Sequence, residues 1–373
     1  MNQLDINSIK NQLNNSCIIN EAIMPLKEIE NMGFREFGIR SKLKMPLKLY
    51  KYYSNIDIKN QDGSIDNYSQ QALINNTVYL QTPTLFDDVY DSDITLDYQE
   101  YELLRTREYC KRCGVEVNDK WTNQESGNAL VKALWPFYLQ NNIEKAFTVA
   151  PQNELEELSN QLFCLTVLAE CKSTSIFGKA FSKAISKEYQ QYSESLKKTF
   201  RIACFTTTPY SQLMWGGSYA DQHRGFCIEY TILPQEAKYQ DVYLNLFPMV
   251  YCKTRPNVTR KLVEAKDKMY TTDVLWDIYF HGALRKSIDW AYQNEWRLLL
   301  PKGEHKDNYN IEFFPITKVF LGNRMTTQNR KIIIEICKKR GIPYVGVIRS
   351  PNIFEMQECG MLCENCERYV ESR

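Results

Sequence analysis

Residues 213–232 read LMWGGSYADQHRGFCIEYTI. Trp215 and the small residues Gly216, Gly217 and Ser218 open the stretch. Tyr219, Asp221, His223 and Arg224 follow, and Gly225 turns the chain into the apolar run FCIEYTI. Polar and aromatic side chains crowded at the start of an apolar strand mark a site carried on a rigid scaffold. A plainer role fits the same residues: a Trp and a Tyr anchoring a turn.

Working outward, RIACFTTTP before this stretch and FPMVYCK after it read as strands, as do LKLYKYYS (47–54), the run around Val78–Tyr79–Leu80, EWRLLLP, ITKVFLG and PYVGVI. TTQNRKIIIEICKKRG reads as a helix closed by Gly341. Residues 259–292 read as one or two helices. Residues 1–45 read as a helical extension, with Ile18, Ile19, Ile23, Leu26 and Ile29 at roughly helical spacing. Helical periodicity returns at about 100–198, where Leu155, Leu158, Leu162 and Leu165 form one apolar line. The expected fold class is therefore α+β. A mixed β-sheet core over 46–350 carries a helical N-terminal extension and a large helical insertion, and a Cys-containing tail follows at 351–373. Strict strand–helix alternation and a Gly-rich dinucleotide or phosphate fingerprint are both missing.

An apolar fraction of 43% is enough for a core, and a net charge of +1 supplies no global field to draw nucleic acid or membrane. A local basic patch would still allow nucleic acid as a partner. Three His against 24 Tyr argue against a multi-His metal centre. The polar start MNQLDINSIKNQLNN lacks the apolar core of a signal peptide, and no run approaches a membrane span. The expectation is a soluble, cytoplasmic protein whose 12 Cys are mostly reduced.

Four blocks recur in order: LYKYYS; NNTVYLQTPTLFDDVYD; IACFTT with LMWGGSYADQHRGFCIEY; and WAYQNEWRLLL followed by ITKVFLG. Together, over about 47–347, they resemble the bacterial domain of unknown function 2971 family. The likeness lies in its first-strand Lys-Tyr, its Phe-Asn-Asp-Pro-like loop, its Trp and Tyr-Ala-x-x-His-x-Gly core, and its Glu-x-Arg strand. Here the loop reads FDDVYD, with Asp87 in place of the Asn and Val89 in place of the Pro. The resemblance implies an intracellular bacterial effector, in a family whose members are associated with phage-defence and abortive-infection genes.

The polar landmarks follow an order similar to the ADP-ribosyltransferase layout, in which a cation, a hydroxyl or aromatic group and a Glu stand on successive strands of a split sheet. On that analogy Glu295 would stabilise the oxocarbenium-like sugar left as nicotinamide departs from NAD. Tyr219 or Trp215 would stack on the nicotinamide, and Lys51 would anchor ribose or phosphates. Thr206 and Arg297 would complete the cofactor site, and His223 beside Asp221 would serve as a general base. The acceptor is protein, nucleic acid or water. Each residue also has a structural reading: Glu295 and Arg297 as a same-face ion pair at i and i+2, Lys51 snorkelling between tyrosines, and His223 as a turn residue.

Two alternatives differ in class. In a magnesium-dependent nuclease, Asp88, Asp91, Glu295 and Lys51 would gather the metal, although Arg297 stands where a Lys is usual and cannot deprotonate. In a nucleotide-sensing module the ligand binds without turnover. Separately, Cys110-x-x-Cys113 and Cys363-x-x-Cys366 could supply four thiolates to a closed structural zinc site, clamping the tail to the insertion.

Overall fold

Alternation of buried and half-buried residues builds the sheet that carries the site. The computed structural model describes residues 14–97, 193–195, 197–267, 272–302 and 308–360, with isolated positions between 100 and 125. The strands, in chain order, are β1 (Ser16–Ile19), β2 (Ala22–Pro25), β3 (Lys48–Tyr53), β4 (Ile58–Lys59), β5 (Ile65–Asp66), β6 (Thr77–Leu80), β7 (Phe200–Thr206), β8 (Phe226–Thr231), β9 (Leu246–Pro248), β10 (Val250–Cys252), β11 (Arg285–Ser287), β12 (Glu295–Pro301), β13 (Tyr309–Glu312), β14 (Ile316–Leu321), β15 (Tyr344–Arg349) and β16 (Met356–Glu358). They form a mixed eight-stranded sheet in the order β16-β15-β14-β8-β3-β7-β12-β9, a four-stranded sheet β11-β10-β1-β2, and the pairs β13-β6 and β4-β5. The fold is mixed α and β.

The chain divides into two compact units. Met1–Ser92, Leu196–Arg255 and Gly282–Arg373 form the first; Asp93–Ser195 and Pro256–His281 form the second. In the second unit, Asp97 N–H donates to Thr259 Oγ1 (2.8 Å) and Arg260 pairs with Glu100 (2.5 Å). All the sheets belong to the first unit.

Residues directly opposite each other on adjacent strands present their side chains to the same face. Leu49, Phe205, Ile228, Trp296 and Val319 define one face of the large sheet, which packs into the main core with Phe313, Phe314, Ile333 and Tyr344. The helix Thr327–Arg340 packs there; Thr326 caps its start and Gly341 ends it in the left-handed conformation (φ 65°). The opposite face packs Tyr52, Cys227, Phe320 and Val345 against Met214 and Trp215.

Seven of the expected strands and the closing helix form where the alternation placed them. Other stretches differ. Residues 16–25 are a β-hairpin, not a helix: Asn20 and Glu21 both take left-handed backbone and fold Ile18 onto Ile23. Helices follow only at Leu26–Asn31 and Phe34–Leu43. FPMVYCK splits at Met249 into β9 and β10, which join different sheets. The region 259–292 ends its helices at Ala283 and then forms β11, parallel to β10. β16 lies within the expected tail and pairs with β15. The predicted insertion at about 100–198 falls almost wholly outside the described residues. Among the described residues no helix is long and apolar enough to cross a membrane.

Candidate functional site

One register row crosses the large sheet. Glu295 on β12 lies opposite Thr206 on β7, Thr206 opposite Tyr50 on β3, Tyr50 opposite Glu229 on β8, and Glu229 opposite Lys318 on β14. These side chains share the face that carries Tyr52 and Cys227. The row crosses the sheet's weakest join, because β3 and β7 share one register pair, Tyr50↔Thr206. Beyond it the two strands part: Lys51 Nζ donates across the gap to the Cys204 carbonyl (3.0 Å), and further along Gln81 takes the edge of β7 by exchanging backbone hydrogen bonds with Ile202 (3.1 and 2.8 Å).

At one end of the row the charges concentrate. Arg297, fully buried, grips Asp91 with Nη1 at 2.8 Å from Oδ1 and Nη2 at 2.6 Å from Oδ2; its Nε donates to Glu295 Oε1 at 2.6 Å. Lys286 Nζ reaches Glu295 Oε2 (3.3 Å), Asp91 Oδ2 (3.2 Å) and Gln293 Oε1 (3.0 Å). Gln293 Nε2 donates to the Tyr219 hydroxyl (2.5 Å), which leads the network to the surface. The Glu295 backbone N–H is held by the Tyr251 hydroxyl (2.8 Å). Two carboxylates thus face two cations, so the buried group is neutral as a whole, the condition under which buried charge is tolerated.

Burial favours protonation of Asp91 and Glu295, but Arg297 and then Lys286 outweigh it and hold both carboxyls below their usual range. Burial also opposes charge on Lys286; Glu295 and Asp91 outweigh it and raise its pKa. Burial and the Glu295 carboxylate push the Cys204 thiol up to about 12, and burial pushes the Tyr219 phenol up to about 12.

The residues named from the sequence are placed as follows. Glu295, Thr206 and Arg297 lie together, and Tyr219 joins them through Gln293 and Lys286. Lys51 makes no hydrogen bond or ion pair with their side chains, although the Glu295 carboxylate acts on its charge through space. Alternation turns it to the opposite face, where its ammonium lies 5.5 Å from the Phe205 ring centroid and 5.8 Å from that of Tyr53. Burial lowers its pKa. The first-strand residue that shares the Glu295 face is Tyr50. Trp215 is also displaced from its expected role: it is fully buried, its indole N–H donates to the Pro209 carbonyl (2.7 Å), and its ring packs against Tyr52.

His223 stacks on Trp215 at 6.3 Å between centroids, and its Nδ1 has no hydrogen-bond partner. Asp221 pairs with Arg224 instead (3.5 Å), so the expected His–carboxylate orientation does not form. Burial, then the positive charge of Arg324, lowers the His223 pKa. Asp221, Gln222 and His223 all take positive φ, and this left-handed run is fastened by His223 N–H to the Trp215 carbonyl (2.8 Å) and Arg324 N–H to the His223 carbonyl (3.0 Å). Gly225 and Gly322 allow the close approach. A Cβ on Gly225 would overlap the Tyr53 carbonyl, and one on Gly322 the His223 carbonyl. The motif at 215–225 is therefore a structural clasp on the start of β8.

Of the loop acids, Asp91 enters the cluster, Asp88 accepts from Tyr90 N–H (2.9 Å), and Asp87 is exposed. Among the described residues no group of three or more His, Cys, Asp or Glu side chains is placed to hold a metal. Cys110, Cys113, Cys363 and Cys366 lie outside the described residues. Sequence reasoning did not single out Lys286, Gln293 or Tyr251. The signal in the sequence is the short polar alternation of RKS beside an aromatic run, which also fits a helix.

The scaffold is mixed α and β, with several mixed sheets, and the large sheet carries a buried ion cluster on one face. Residues 214–298 match the model of a family described as protein of unknown function (DUF2971), so the chain carries a DUF2971 domain over those residues. The match contains the clasp, Lys286, Gln293, Glu295 and Arg297. No curated protein and no solved structure matches the chain.

Proposed function

We propose that the split face is a NAD-using, ADP-ribosyltransferase-like site in an intracellular bacterial effector of phage defence. The observation that carries this reading is the single β3–β7 pair, Tyr50↔Thr206, with Glu295 next in register on the same face. Strands that part after one rung leave a gap in the sheet; Thr206 and Glu295 stand beside its head, while the Tyr50 hydroxyl is turned away to donate to Glu229 (3.1 Å).

Glu295 is held ionised and oriented by Arg297. Negative charge at that point stabilises the oxocarbenium-like sugar that develops as nicotinamide departs. The nicotinamide ring of NAD is cationic, so it competes with Lys286 for Glu295 Oε2, the longer of the two ion-pair contacts at 3.3 Å against 2.6 Å. Tyr219, 37% exposed, offers the aromatic face at the mouth, with Trp290 and Tyr292 beside Lys286 and Gln293. Lys51 contributes by filling the crevice from behind, not by binding ligand.

The purified chain is incubated with NAD and free nicotinamide is measured. Release is expected from the wild type, with a loss of about 100-fold or more in Glu295→Gln. Unchanged NAD over a folded wild type overturns the catalytic reading. A second reading, a sensor that holds a nucleotide without turnover, is favoured by the saturation of both Glu295 oxygens. Its signature is calorimetric binding of NAD with no nicotinamide released. The magnesium-nuclease reading is disfavoured because Arg297 and Lys286 already neutralise Asp91 and Glu295.

A further inference from the structure

We propose that Cys17 and Cys252 are an oxidative cross-linking site that joins the N-terminal hairpin to β10. Asn20 and Glu21 both have positive φ (48° and 65°), and Ile19 faces Ala22 across them. This is a two-residue loop of the kind whose flanking pair exchanges hydrogen bonds. Pairing alternates along antiparallel strands, so Ile18–Ile23 is not hydrogen-bonded, Cys17–Met24 is, and Ser16–Pro25 is not. The last assignment suits a proline, which has no N–H. The bond from Leu26 N–H to the Asn15 carbonyl (2.8 Å) continues the alternation.

A residue's N–H and C=O point to the same side of its strand. Cys17 therefore spends both on Met24 and turns none toward β10, where it lies directly opposite Cys252. Cys17↔Cys252 is thus a non-hydrogen-bonded antiparallel pair. In such pairs the Cα atoms stand about 4.5 Å apart and the side chains are closest, inside the ~4.4–6.8 Å that a disulfide spans. Both thiols are free, and their protons point to the Met24 and Thr254 carbonyls. Burial pushes the Cys17 thiol up to about 12 and raises that of Cys252; Arg285, buried on β11 with Nε and Nη2 unpartnered, places positive charge near both sulfurs and offsets part of this. Burial of Cys17 and Cys252 opposes attack. Among the described residues, however, the hairpin lies at the edge of its sheet, where β2 pairs with β1 alone, so its opening exposes the pair.

With oxidised glutathione as oxidant, one cysteine thiolate attacks a glutathione sulfur. The S–S bond breaks, a mixed disulfide forms, and one glutathione thiolate leaves. The second cysteine thiolate then attacks the protein sulfur of that mixed disulfide and expels the second glutathione. Two electrons pass to the oxidant, and the two thiol protons end on the glutathione thiols.

The full-length reduced protein is equilibrated with oxidised glutathione, quenched in acid, alkylated, digested and read by mass spectrometry, in native buffer and in sub-denaturing urea. A linked peptide pair containing Cys17 and Cys252 is expected, forming faster in urea, and missing from both Cys17→Ala and Cys252→Ala. Recovery of Cys17 and Cys252 as free thiols, as separate glutathione adducts, or linked to other cysteines in both conditions overturns the proposal. The readout involves no NAD chemistry, so it stands or falls apart from the function proposed above.

Discussion

Arg297 decides the character of the site. A guanidinium with no exposure that holds Asp91 bidentately and Glu295 through Nε leaves two buried carboxylates sharing one cation, Lys286, if it is removed. Arg297→Met is expected to cost about 3–5 kcal/mol, the range for breaking one side of a buried pair, read as a fall in the urea midpoint at unchanged slope. The pH dependence has a definite sign. Asp91 and Glu295 hold protons less tightly folded than unfolded, so their contribution is complete above the unfolded pKa values and is lost as pH falls below them. Urea midpoints are expected to be level from pH 7 to about 5 and to decline below about 4, with a shallower decline in Asp91→Asn. Part of this was legible in the sequence: Glu295 and Arg297, two apart on a strand, must share a face. Which face Lys51 took was not, because Tyr50, Lys51, Tyr52 and Tyr53 carry no clear alternation.

At the scale of elements, the clasp of residues 215–225 depends on two glycines. Gly225→Ala and Gly322→Ala each force a methyl onto a backbone carbonyl, one on Tyr53 and one on His223. Backbone yields less readily than a side chain, so each is expected to cost about 2 kcal/mol or more, measured by thermal or urea unfolding. The conspicuous polar residues of this stretch thus serve architecture more than chemistry. The elements misread from sequence share one cause. Ile18, Ile19 and Ile23 fit a helical spacing as well as a hairpin whose turn, Asn20-Glu21, lacks the usual glycine. RKS becomes a strand only because β10, more than thirty residues earlier, lies beside it. Lys286 could not be placed without that pairing. Strands whose own alternation was strong, such as β8, β12 and β14, needed no such help.

For the molecule as a whole, the large sheet consists of two blocks of strands joined between β3 and β7 by one rung. Elsewhere the ladders run longer: β12 and β7 share seven register pairs, and β3 and β8 share six. Such a sheet has a seam. Deuterium labelling of the native protein is expected to find the amides of Tyr50 and Thr206 exchanging ahead of those at the centre of the β7–β12 ladder, with the gap narrowing when NAD is bound. Equal protection on both sides of the seam would remove the mechanical basis for a crevice there. A zip fastened by one tooth can open without its two halves fraying, and under the proposed function that is how this sheet would admit a guest while its hydrophobic interior stays shut.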